Sequence, residues 1–156
     1  MYPHTHFLFP FFLAMILEKL GIFSWQLVVI CGIIGVLVDI DHYIEHIIHS
    51  KLHKFSIRGT WNNSIHYHRF SQRSFIHYWQ GCLLLSVLFL LIGFINLKFA
   101  AVLFIGYYSH LFLDFVYYKK AAVVKMRIFN YYFQESHYEM VFDVVLLLLI
   151  MVTFLI

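Results

Sequence analysis

The stretch Val36-Leu37-Val38-Asp39-Ile40-Asp41-His42 ends a long apolar run with two carboxylates and an imidazole. An aspartate in that position is costly unless it is hydrated, paired or bound to a cation. On a continuous helix Asp39 and His42 share a face, whereas Asp41 points away unless the helix ends there. Basic residues are the usual stop at a cytoplasmic membrane face, so carboxylates here point to a metal or catalytic role for Asp39 and Asp41. The alternative is a wetted helix terminus that keeps the span from sliding.

The rest of the chain has the same character. Of 156 residues, 62% are hydrophobic and 12% charged, with a mean hydropathy of +0.80, whereas soluble domains carry about 25% charged residues. The expected architecture is a single all-α domain, a polytopic membrane protein with about five transmembrane helices. They fall at about 6–20, 22–41, 76–95, 99–118 and 140–156, with a cytoplasmic loop over 42–75. The first run contains Pro10 and lacks the basic region and cleavage site of a signal peptide, so it reads as a retained segment. Cys31 and Cys82 lie inside apolar runs and read as packing residues. Within the loop, 42–53 reads as helix, and 56–74, with Gly59, Asn62 and Asn63, as irregular chain.

Basic residues set the expected orientation. Lys51, Lys54, Arg58, Arg69 and Arg73 lie in the first long loop, and Lys119, Lys120, Lys125 and Arg127 follow the fourth segment. These loops share a side only if all five segments cross, which puts the N-terminus in the cytoplasm and the C-terminus outside. That topology also sorts the ligand-type side chains. His4, His6, Asp39, Asp41, His42, His77, His110, Asp114, Glu135, His137, Glu139 and Asp143 all come to one face, and Glu18 stands nearly alone at the other.

His110 and Asp114 are four residues apart on one helix face, a spacing that suits one cation or a histidine–carboxylate pair. Gly106 and Ser109 before them allow close helix approach. His77 is a candidate ligand or general acid/base. Arg73 is a candidate clamp for an anionic oxygen, with lipid-headgroup contact as its plainer role. His42, His46, His49 and His53 make a histidine stripe too long for one site, so His42 is favoured and most of the others read as interfacial. His66 also takes the bland reading, and His6 is placed to reach the cluster. The aromatic richness reads as lipid-facing packing and interfacial belt, with no nucleic-acid partner expected. Nucleotide-binding glycine loops and a nucleophile elbow are absent.

Four blocks in order carry a family resemblance: His6-Phe7-Leu8-Phe9, Leu37-Val38-Asp39-Ile40-Asp41-His42, Arg73-Ser74-Phe75-Ile76-His77, and Gly106-Tyr107-Tyr108-Ser109-His110-Leu111-Phe112-Leu113-Asp114. On them the chain resembles the YdjM-like family of membrane-bound metal-dependent hydrolases, distantly similar to zinc-dependent phospholipase C and single-strand nucleases. Val38 stands where that family usually has proline, and Gln72 where it has histidine.

The resemblance implies His6, Asp39, Asp41, His42, His77, His110 and Asp114 as ligands or near-ligands of a divalent metal, zinc first. Asp41, His77 and Arg73 take the catalytic roles. The expected function is metal-dependent hydrolysis of a phosphoester or lipid headgroup at the cytoplasmic face of a bacterial-type inner membrane. The alternatives are a di-iron lipid desaturase or hydroxylase, and a non-enzymatic metal-binding or transport protein.

Overall fold

The computed structural model describes residues 2–49, 55–66, 75–116, 123–128 and 131–155, without the side chains of 45, 49, 63–66, 116, 123–128 and 131–135. Helix α1 spans Pro3–Lys19, with proline in its first turn, where a missing N–H costs nothing. Its end is a left-handed cap: Gly21, at φ 73°, donates to Glu18 O, and Ile22 donates to Leu17 O. Helix α2 spans Trp25–Leu37. At Val38-Asp39 the backbone tightens, with Asp39 N donating to Val36 O and His42 N to Asp39 O, before α3 begins at Ile40–His49. The apolar run thus breaks at its first carboxylate.

Helix α4, Ile57–His66, corrects the expectation of irregular chain over 57–66, the rest of that stretch, 67–74, lying outside the described residues. Ser56 is the local cause: its Oγ accepts from Gly59 N at 3.0 Å and its carbonyl from Thr60 N at 2.9 Å, so it starts a helix that the Gly59 and Asn62-Asn63 composition obscures. A short 3₁₀ turn, Phe75–His77, leads into α5, Trp79–Ile95. Helix α6, Leu97–Val116, follows after Asn96 alone, whose Oδ1 caps it by accepting from Phe99 N. An antiparallel two-stranded ribbon, β1 Val123–Ile128 and β2 Tyr131–Ser136, interrupts an otherwise helical chain. Helix α7, His137–Leu155, starts three residues before the expected 140. Ser136 Oγ accepts from Glu139 N in the Ser-x-x-Glu pattern of a capping box.

The core joins α1, α2, α6 and α7 through Ala14, Met15, Val28, Cys31, Val102 and Ile150. A second cluster, Val38, Phe89 and Tyr107, holds α5 and α6 to the α2–α3 turn. Cys31 and Cys82 are free thiols, as expected of packing residues. Leu83, Leu84, Leu90 and Leu91 on α5 and Val144, Leu148, Met151 and Val152 on α7 face outward, an apolar surface suited to lipid. Among the described residues, Trp25–Ile48 and His137–Leu155 are long and apolar enough to cross a bilayer, and Trp79–Ile95 is apolar but 17 residues long.

Candidate metal centre

Four elements deliver side chains to one place. The break at Val38-Asp39 lets both aspartates face the same way, which a continuous helix forbids. Asp39 Oδ1 lies 3.5 Å from His110 Nε2 and 3.6 Å from His42 Nε2, while Asp41 Oδ2 lies 2.5 Å from His77 Nδ1. From α6, the i, i+4 pair stacks as expected, with His110 Nε2 3.7 Å from Asp114 Oδ2. From α1, His6 Nε2 reaches to 3.5 Å from Asp114 Oδ1, and its ring stacks on His110 with centroids 3.9 Å apart.

Two of the histidines, His110 and His77, have a partner at their other nitrogen. His110 Nδ1 lies 2.8 Å from the Gly35 carbonyl, so as the donor it leaves Nε2 as a bare lone pair toward the cluster. Asp41 pairs with His77 at Nδ1 as an ion pair, an imidazole–carboxylate contact common behind metal ligands. The two Nε2 atoms are then 3.3 Å apart. Tetrahedral zinc with metal–nitrogen bonds of about 2.0–2.1 Å spaces its donors about 3.3–3.4 Å apart. Asp114 Oδ2 completes a triangle with them, 3.7 Å from His110 Nε2 and 3.8 Å from His77 Nε2. Among the described residues, His6 Nδ1 is buried with no hydrogen-bond partner.

Three overlapping groups have donor atoms within 4.8 Å of one another: His6, His110 and Asp114; Asp39, His77 and His110; Asp39, Asp41 and His42. The donor set of imidazoles and carboxylates can hold divalent zinc or iron. The site is graded in exposure, with His6, His77 and His110 at 1% or less and His42 at 34% of side-chain area. At His77, outside the apolar helix α5, burial alone lowers the pKa. The pairing with Asp41 and the charges of Asp41, Asp114 and Asp39 outweigh it and carry the pKa above the ordinary imidazole value.

All seven candidate ligands thus come together: His6, Asp39, Asp41, His42, His77, His110 and Asp114. Arg73 lies outside the described residues, as do Gln72, His53 and His68, and the side chains of His49, His66 and Glu135 are not described. His46 points elsewhere, its Nε2 against Gly59 of α4. His4, Glu139 and Asp143 form a separate group around Thr5. The supports were not foreseen. Tyr107 donates its hydroxyl to the Ile76 carbonyl, tying the segment that carries His77 to α6. Gly81 lets that segment cross α5, since a Cβ there would meet Phe75 O at 2.1 Å.

A family model described as YdjM inner membrane protein matches residues 1–124, a stretch that holds all seven of these residues. No curated protein and no solved structure matches the chain.

Proposed function

Because the chain belongs to the YdjM inner membrane protein family, we propose that it is a multi-pass membrane hydrolase whose polar cluster holds zinc and acts on phosphoesters, lipid headgroups foremost, at the cytoplasmic face. The reading is of five crossings with a cytoplasmic N-terminus, supported by the two basic loops. The observation that carries it is the pair of Nε2 atoms 3.3 Å apart, with His110 held from behind by the Gly35 carbonyl and His77 paired with Asp41.

His77, His110, Asp39 and Asp114 are the first donors, with His6 and His42 at the flanks. A bound divalent cation supplies a Lewis acid and a water acidified to near neutrality. Asp41 holds the His77 ring in register. His42 is the most accessible imidazole of the cluster. Arg73 is assigned to meet developing phosphoryl charge.

The test is metal analysis of detergent-purified protein together with phosphodiesterase assays on lipid and soluble phosphodiesters. Zinc with turnover is the expected result, and Asp39→Ala and Asp114→Ala should each lose metal. Full metal stoichiometry in both variants would overturn the assignment. Iron with oxygen consumption would favour the oxygenase, and metal flux without turnover a transporter.

A pH dependence follows as well. Metal binding needs His77 deprotonated, and its partners favour the proton. Zinc affinity should therefore fall as pH drops through the raised His77 pKa, beginning at a higher pH than for an ordinary imidazole. In Asp41→Asn, isothermal titration at several pH values should find that onset moved downward.

A further inference from the structure

Helix α7 lies past the stretch that the family match covers. It nevertheless sends two buried carboxylates, Glu139 at 2% and Asp143 at 7% exposure, into the first turn of α1. Glu139 Oε1 accepts from the Tyr2 backbone N–H at 2.6 Å and from Thr5 Oγ1 at 3.0 Å. Asp143 Oδ2 lies 3.0 Å from the same hydroxyl and 2.8 Å from His4 Nε2. A negative group at a helix N-terminus is favourable, and proline at position 3 removes one of the backbone donors that would otherwise receive it. Yet Glu139 Oε2 and Asp143 Oδ1 remain buried with no hydrogen-bond partner among the described residues. An apolar contact would hold two helices together at less cost.

The register of α1 gives the carboxylates a use. Thr5 and His6 are adjacent, so their side chains leave the helix about 100° apart. One turn is thus gripped by α7 through Tyr2, His4 and Thr5, and it presents His6 to Asp114 and His110 of α6. We propose that Glu139 and Thr5 are positioning residues of the metal centre, with α7 acting as a clamp that sets His6 against its partners. This inference rests on the metal reading above and extends it to a helix that contributes no ligand.

The test is cobalt(II) titration of metal-stripped, full-length protein in detergent, following the visible absorption of the bound ion. Glu139→Leu should weaken cobalt binding roughly 10-fold, the low end of the cost of losing a group bonded directly to a ligand, because it acts on His6 only through the α1 turn, and should shift the cobalt spectrum as His6→Ala does. Glu139→Gln keeps an acceptor oxygen for Tyr2 and should recover most of the affinity. Thr5→Val, nearly the same shape, should weaken binding in the same direction even if Glu139→Leu folds poorly. In the Glu139→Leu/His6→Ala double variant the loss should match His6→Ala alone. Additive losses, or wild-type cobalt affinity and spectrum in both Glu139→Leu and Thr5→Val, would leave α7 a packing helix only. Wild-type protein that binds no cobalt would remove the metal reading itself and this inference with it.

Discussion

At the proposed zinc site, His110→Ala should leave purified protein with little metal, while His42→Ala should keep most of it. The asymmetry comes from where each ring stands. His110 belongs to two of the three donor groups and His42 to one. His110 is fully buried at the centre, stacked on His6, 3.3 Å from His77 Nε2 and 3.5 Å from Asp39 Oδ1. Removing it opens two groups at once and leaves the Gly35 carbonyl without its imidazole donor. The loss should exceed the roughly 10- to 100-fold expected for a group behind a ligand. His42 is one-third exposed, and its Nε2 lies 3.6 Å from Asp39 Oδ1, where water can replace it. Metal per protein by mass spectrometry, read beside the thermal unfolding of each variant, decides it. Equal zinc in the two variants would mean that the cluster has a different centre.

Much of that clustering of side chains was legible in the chain, because the informative residues advertise themselves by being out of place. Asp39, Asp41, His110 and Asp114 are ionisable groups in or beside apolar runs, and such groups are retained for partners or function. The i, i+4 pairing of His110 with Asp114 followed from helical geometry alone. What spacing left open was Asp41, whose direction depends on a helix break that only the backbone bonds of Val36, Val38 and Asp39 reveal. The supports were illegible for a different reason. Gly35 acts through its carbonyl and its missing side chain, and Tyr107 through a bond to the Ile76 backbone, so neither carries a side-chain pattern to read. The Ser136-x-x-Glu139 cap was readable but masked by the basic, aromatic segment before it. Helix α4 was hidden by glycine and asparagine, which read as loop unless the serine ahead of them is taken as a cap.

Gly35→Ala is the smallest change expected to collapse the site. A Cβ at Gly35 would lie 2.2 Å from the His6 carbonyl oxygen and 2.6 Å from Pro10 Cγ. Neither neighbour can step aside. The first is helix backbone, and the second is a ring locked into the same turn of α1. Pro10 also explains why His6 O comes so near: proline has no N–H to give the carbonyl four residues before it. That oxygen faces Gly35 instead, on the side where a Cβ would stand. On its other side Gly35 offers its own carbonyl to His110 Nδ1. One residue without a side chain thus spaces α1 from α2 and sets the tautomer of the central imidazole of α6. Forcing a methyl group in should cost up to about 3 kcal/mol, the upper part of the usual range for overpacking, and should displace His6 and His110 together. Gly93→Ala is the matched control, since a Cβ there meets only Ala100 Cβ at 3.7 Å. Relief of helix-interior glycine should make that variant about 0.5–1 kcal/mol more stable. Thermal unfolding in one detergent, with zinc content measured alongside, should therefore move in opposite directions for two identical substitutions. A Gly35→Ala protein that matches the wild type in both melting temperature and metal content would mean that α1 does not stand against α2 where the proposed metal centre requires it.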